Sequence, residues 1–155
     1  LQDQDKLMAI LNRLQAINYE NIHPKPVLLK VSPDLNNKQL DEVIEIVDQT
    51  KIDGEVATNT TITRKNLTTD KSTVDQIGNG GLSGKPIRER ATEVIRYLSE
   101  KSGKAFPIIG AGGIFTPEDA IDKLEAGADL VHVYTVFVYE GPFIARRINK
   151  ALLAL

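Results

Sequence analysis

Pro107-Ile-Ile-Gly-Ala-Gly-Gly-Ile-Phe-Thr-Pro-Glu-Asp119 contains one complete strand-to-helix unit. Pro107–Gly110 is a short apolar run, and Gly112-Gly113 ends it. Thr116, Pro117, Glu118 and Asp119 then start a helix: a hydroxyl N-cap, proline at the first helical position, and two acids at the positive end of the helix dipole. Gly127 closes that helix. The same rhythm recurs on both sides. Downstream, Leu130–Tyr134 reads as a strand, and Pro142 opens a last helix with Ile144 and Ile148 inside. Upstream, Gly54–Asn59 reads as a strand, followed by a long polar loop containing Gly78, Gly80, Gly81 and Gly84. Pro86 opens the next helix, whose buried stripe is Ile87, Ala91, Val94, Ile95 and Leu98. Further upstream, Val27–Val31 is an apolar strand interrupted by Lys30. Leu40, Val43, Ile44 and Val47 mark a helix with a capping pair at Asn36 and Gln39. A first helix over residues 5–19 carries Leu7, Ile10, Leu11, Leu14 and Ile17, and Pro24 and Pro26 end it.

Strict alternation of strands and helices predicts an α/β chain with a parallel sheet and crossover helices. Near-continuous apolar strands suit a sheet covered on both faces. Two architectures compete, an open doubly wound sheet and a (β/α)8 barrel. A whole barrel needs eight units and about 250 residues. Four strands in 155 residues supply at most half of one.

Composition removes several function classes. The 41% hydrophobic content supports a core, but 5% aromatic residues and no Trp make it aliphatic. A formal net charge of −2 offers no basic footprint for nucleic acid. The absence of cysteine excludes a disulfide framework, a thiolate zinc site and a Cys nucleophile within these residues. No HxxxH or HExxH pattern and no acidic cluster at metal spacing is present, so no metal site is expected. No apolar run approaches the ~18 residues of a membrane span. The chain does not begin with Met, and it reads as a piece of something longer.

In both competing architectures ligands bind beyond the carboxyl ends of the strands. The first such end is Lys30-Val-Ser-Pro-Asp34. A lysine inside an apolar strand is costly unless its ammonium is paired or reaches a polar site. The plain alternative is an ammonium extending to the mouth of a barrel. The second end, Ala57-Thr-Asn-Thr-Thr61, groups short hydrogen-bonding side chains, although Thr and Asn are also ordinary turn residues. Gly80-Gly-Leu-Ser-Gly84 is either a flexible loop or a segment whose glycines let backbone approach a ligand. Gly110-Ala-Gly-Gly-Ile114 fails the dinucleotide fingerprint spacing because position 115 is Phe, but it leaves N–H groups free for an anion. If the last two strands are strands 7 and 8 of a barrel, Gly112, Gly113, Tyr134 and Thr135 fall at the usual phosphate site. His23 and His132 read as structural.

Taken together, the segments resemble one family. Lys30-Val-Ser-Pro-Asp-Leu35, Ala57-Thr-Asn-Thr-Thr61, Gly80-Gly-Leu-Ser-Gly-Lys-Pro86, Pro107-Ile-Ile-Gly-Ala-Gly-Gly113, and Tyr134-Thr135 with Tyr139-Glu-Gly-Pro142 occur in this order in dihydroorotate dehydrogenases. The resemblance covers essentially all of residues 1–155. The pairing of the second and third segments, with Tyr-Thr after the final strand, resembles class 2, the membrane-associated, quinone-reducing branch.

The resemblance implies the C-terminal half of an FMN-binding TIM (β/α)8 barrel, with about four βα units and parallel strands. The whole enzyme oxidises dihydroorotate to orotate in de novo pyrimidine (UMP) biosynthesis, with a quinone as acceptor. Lys30 is expected at flavin N1 and O2, and Thr58 against the flavin. Asn59 and Thr60 are expected on the pyrimidine substrate. Gly84, Gly112 and Gly113 are expected to approach the cofactor through backbone, with Tyr134 and Thr135 on its phosphate. The catalytic base of class 2 resembles a serine in an Asn-x-Ser-Ser-Pro-Asn-Thr loop. None of Ser32, Ser72, Ser83, Ser99 or Ser102 has that setting, so the base is expected upstream of Leu1 and the piece alone is expected to be inactive. The piece is expected to start just past that loop, to pair with the other half of the barrel or a second copy, and to contact quinone only through an N-terminal region it lacks. The location implied is cytoplasmic, with the full-length protein peripheral on the inner face of the cell membrane. Glu55 departs from the family's usual apolar residue and is expected to be solvated at the lower rim. The rivals are a related flavin-dependent pyrimidine oxidoreductase and a non-catalytic half-barrel that binds a phosphorylated or flavin ligand.

Overall fold

The computed structural model describes residues 4–65 and 67–154; Leu1, where the segment expected to follow the catalytic loop begins, lies outside them. The elements are α1 (Gln4–Tyr19), β1 (Leu28–Val31), α2 (Asn37–Thr50), β2 (Gly54–Ala57), α3 (Lys71–Ile77), a 3-10 turn (Lys85–Ile87), α4 (Arg88–Lys101), β3 (Ile108–Ala111), α5 (Pro117–Glu125), β4 (Leu130–His132), α6 (Thr135–Glu140) and α7 (Phe143–Leu152). The strands form one parallel sheet in the order β1-β2-β3-β4. The α/β reading with parallel strands holds, and sequence order equals spatial order, as in a barrel wall.

Local chemistry explains the helix boundaries. Asn36 accepts from the Gln39 N–H at 3.0 Å, and the Gln39 side chain accepts from the Asn36 N–H at 3.0 Å. Thr116 and Asp119 form the same reciprocal box at the start of α5, with Pro117 in the first turn. The polar loop hides α3, capped by Asp70 but burying none of its residues, so no apolar period marks it. The last strand, expected over Leu130–Tyr134, stops at His132, and α6, which the sequence reading did not anticipate, begins at Thr135. The expected strand from Gly54 stops at Ala57. Beyond it the Ala57–Thr58 peptide is cis, yet the Thr58 N–H donates to Ala111 and the Asn59 N–H to Val31, each at 2.7 Å. Both neighbouring strands therefore hold this loop.

Side chains alternate across the sheet. Val31, Ala57 and Ile108 face the helices and join Leu40, Val43, Val94, Ile95 and Leu98 in the main core. Each large aliphatic side chain fully buried there contributes roughly 1.5–3 kcal/mol. Gly110 has no room for more, because a Cβ would lie 3.0 Å from Ala128 Cβ. A second cluster, Leu7, Leu11, Ile46, Val47 and Ile52, seats α1 on α2, and a third gathers Ile114, Ala120, Val136, Ile144 and Ile148. The opposite sheet face, with Lys30 and His132, is open, and Leu130 is 63% exposed. Ile10, Leu14 and Ile17 of α1 are also exposed, so its apolar stripe is wider than the face it buries. Among the described residues β1 and β4 each pair along one edge only.

Glu55 corrects its expectation. Counting back from Ala57 puts it on the helix side, in register with Leu29 and Ile108, and it is 0% exposed. Its register partner Ile108 is core, so the position is closed to water rather than solvated at a rim. Neither carboxyl oxygen has a hydrogen-bond partner among the described residues. Burial pushes its pKa up from 4.5 to about 8, so the group is held neutral near pH 7.

Candidate functional site

The strand ends converge. Lys30, Thr58, Asn59, Thr60, Gly84, Gly112, Gly113, Tyr134 and Thr135 all line one cavity of about 210 Å³. Parallel strands in one register bring this about, since every strand ends on the same side. Lys30 comes from the open face of β1 and has no ion-pair partner among the described residues. Thr58 is buried, and its hydroxyl donates to the Asn59 carbonyl at 3.1 Å; Asn59 and Thr60 are exposed. Thr135 donates to the Ser83 hydroxyl at 2.9 Å, which ties the last strand end to the glycine loop. Gly80 and Gly81 do not reach the cavity; Ser83 and Gly84 do.

The loop after β3 is fixed from below. Gly112 and Gly113 have φ of +109° and +75°, and a Cβ on Gly113 would stand 2.3 Å from Arg88 Cα. The glycines therefore let the loop pack on the start of α4, while their own N–H groups find no acceptor among the described residues. Asp119 accepts from the Phe115 and Thr116 N–H groups at 2.8 and 3.0 Å and pairs with Arg88 at 3.0 Å. Burial alone would raise this carboxyl, but those donors and the guanidinium outweigh it and hold its pKa below the ordinary carboxylate value. Lys123, fully buried, donates to the Arg88 carbonyl at 2.8 Å and to the Thr92 hydroxyl. Burial lowers its pKa to about 8, against the raising effect of Asp119 and Asp122. Gly113→Ala is expected to cost roughly 3 kcal/mol or more, because left-handed backbone and collision with Arg88 act together. Urea unfolding at neutral pH measures it, and a loss within error of zero would contradict the packing described.

Sequence reasoning missed several lining residues. Ile87, Ala111, Ile114, Phe115 and Val133 form apolar wall, and their periodicity is that of ordinary core. His132, read as structural, ends β4 with an exposed side chain on the cavity wall. The alternation from Leu130 would have put it on the open face. Lys85 lies with its ammonium 5.3 Å from the centre of the Phe115 ring, at the same mouth. No group of three or more potential metal ligands occurs among the described residues.

The dihydroorotate dehydrogenase family profile matches residues 1–155. A dihydroorotate dehydrogenase (quinone) from Christiangramia forsetii is 57% identical over 153 residues, covering 99% of this chain and 44% of the relative. One from Thermosynechococcus vestitus is 47% identical over 161 residues, covering 99% of this chain and 43% of its own length. Two crystal structures of DHODH from Eimeria tenella, one in complex with ferulenol and one ligand-free, superpose with TM-scores of 0.88 and 0.89 at 30% and 31% identity. They cover 99% of this chain, which covers 45% and 46% of theirs. The chain thus spans less than half the length of these relatives, and its four βα units are part of a TIM barrel. By sequence and by fold, the chain belongs to the dihydroorotate dehydrogenase family.

Proposed function

We propose that residues 1–155 are the C-terminal, FMN-gripping part of a class 2 dihydroorotate dehydrogenase, which oxidises dihydroorotate to orotate with a quinone acceptor in pyrimidine biosynthesis. One observation carries the reading: every residue with a role implied by the family segments lines a single cavity. The donor set also suits FMN. It combines one unpaired ammonium, two free glycine N–H groups, and amide and hydroxyl side chains around an apolar wall.

Bound FMN would supply the electron sink, taking a hydride from C6 of dihydroorotate. Lys30 would hold the pyrimidine end of the ring near N1 and O2, where negative charge gathers on reduction, and its preorganised charge would stabilise that product. Thr58 would touch the ring. Asn59 offers both a donor and an acceptor to the imide-like edge of the substrate, with Thr60 beside it. Gly84 would approach the cofactor through backbone, and Gly112, Gly113, Tyr134 and Thr135 would hold its phosphate, largely through N–H groups and the threonine hydroxyl. The serine base for the C5 proton, the carboxylate contacts and the quinone site are assigned to the portion of the relatives that this chain does not span. The open sheet face and single-paired edge strands support a partner, either that portion of the barrel or a second copy. No helix among the described residues is long and apolar enough to cross a membrane; attachment to the inner face of the cell membrane is proposed for the whole enzyme.

The test is anaerobic bleaching of flavin absorbance by dihydroorotate. The chain joined to the complementary part of the barrel is expected to bleach and the chain alone is not. Bleaching by the chain alone would refute the assignment of the base, and no flavin binding by the joined protein would refute the site.

A further inference from the structure

Asn59 and Thr60, the proposed substrate readers, are exposed loop residues, and something must hold them still. A chain of contacts outside the cavity does so. Arg90 of α4 donates to the Pro33 carbonyl at 2.9 Å and to the Leu35 carbonyl at 2.7 Å, bracketing Asp34. The Asp34 carboxylate accepts from the Thr61 hydroxyl and from the Ile62 N–H, the latter at 2.9 Å. Thr61 and Leu82 exchange two backbone hydrogen bonds, 3.0 and 2.8 Å, which lays the glycine loop along this segment. At the end of the chain Gly81 rests on Thr60 itself. A Cβ there would stand 2.1 Å from Thr60 Oγ1 and 2.6 Å from Thr60 Cβ. Thr60 is β-branched and stiff at χ1, so it could not turn aside without moving backbone. The adjacent Gly80 has nothing within 4 Å of its missing Cβ.

Resting on the substrate-site reading above, we infer that Asp34 and Gly81 are positioning residues for Asn59 and Thr60: Asp34 anchors the segment that follows them, and Gly81 sets the space for the Thr60 side chain. Neither lines the cavity. The phosphate contacts proposed at Gly112, Gly113, Tyr134 and Thr135 lie beyond β3 and β4, so losing this clamp should loosen substrate without releasing FMN. A binding group misplaced by about 1 Å can cost on the order of a hundredfold in rate.

The experiment uses the FMN-loaded complete barrel, with the orotate dissociation constant and FMN content measured for each variant. Asp34→Ala and Gly81→Ala are each expected to weaken orotate by roughly tenfold or more with FMN content unchanged, and Gly80→Ala to stay within about twofold of the parent. Asp34→Asn keeps one acceptor oxygen and should fall between the parent and Asp34→Ala. Unchanged orotate binding in both Asp34→Ala and Gly81→Ala overturns the inference. So does loss of FMN in step with orotate, including in Asp34→Asn, since the role would then be general folding. A parent protein that binds no orotate overturns the site reading itself, a result distinct from both.

Discussion

Lys30→Ala in the FMN-loaded complete barrel is expected to slow dihydroorotate-dependent flavin bleaching by about two to three orders of magnitude. Lys30 is the third residue of a four-residue strand, on the sheet face that carries no core, and its side chain lines the cavity. No carboxylate among the described residues pairs with it, so its charge is available to a ligand. Preorganised charge of this kind acts on the reduced product more than on the oxidised ring, and its removal therefore appears in the rate. FMN content should persist, because the phosphate grip is proposed for residues beyond β3 and β4, away from Lys30. Lys30→Arg keeps the charge but changes its shape and donors, and should recover only part of the loss. Stopped-flow bleaching under anaerobic conditions measures all three proteins, and an alanine variant that bleaches at the parent rate would remove Lys30 from its proposed role.

Glu55→Leu is expected to stabilise the protein by on the order of 4 kcal/mol at about pH 9 and by much less at about pH 5. Glu55 is fully buried among aliphatic side chains with both oxygens unpartnered, and burial raises its pKa from 4.5 to about 8. Between those values the folded chain keeps a proton that the unfolded chain has released. Stability therefore falls as pH rises through that window, and it levels out only above the folded value. Leucine removes the penalty and the slope together. Glu55→Gln removes the slope but leaves a buried amide without partners. Denaturant unfolding at the two pH values is the measurement, and a leucine variant with the parent's pH slope would mean that the carboxyl is not buried as described. Asp119 acts in the opposite sense at the acid end: its lowered pKa contributes stability that is lost as pH falls through the folded value.

Much of the molecule was legible because its signals are local. Thr116-Pro-Glu-Asp119 announces a helix by chemistry within one turn, and the capping pair at Asn36 and the N-cap at Thr116 form as the spacing predicts. The residues lining the cavity were legible for a different reason: polar and glycine residues stand where apolar strands stop. What stayed hidden is non-local or shares its pattern with something else. α3 buries nothing and so has no period. Phe115 and Val133 look like core until the sheet places them on a cavity wall. Arg90 reaches Pro33 across 57 positions, a pairing that no local pattern encodes. Glu55 was misread because its solvation depended on what closes the rim, which only packing decides.

The separation of the core clusters carries a consequence for affinity. Lys30 stands in β1, with Thr58 and Asn59 just beyond β2, both strands backed by the main core, whereas Tyr134 and Thr135 lie between a three-residue strand and a short helix backed by the smaller cluster around Val136 and Ile144. Packing units of this kind open and close with their own free energies. A molecule that touches both walls must hold the outer unit shut, so its measured binding free energy is its contact energy less the cost of that closure. Substitutions in α7, none of whose residues lines the cavity, thereby become a dial on how tightly the cavity holds what it contains.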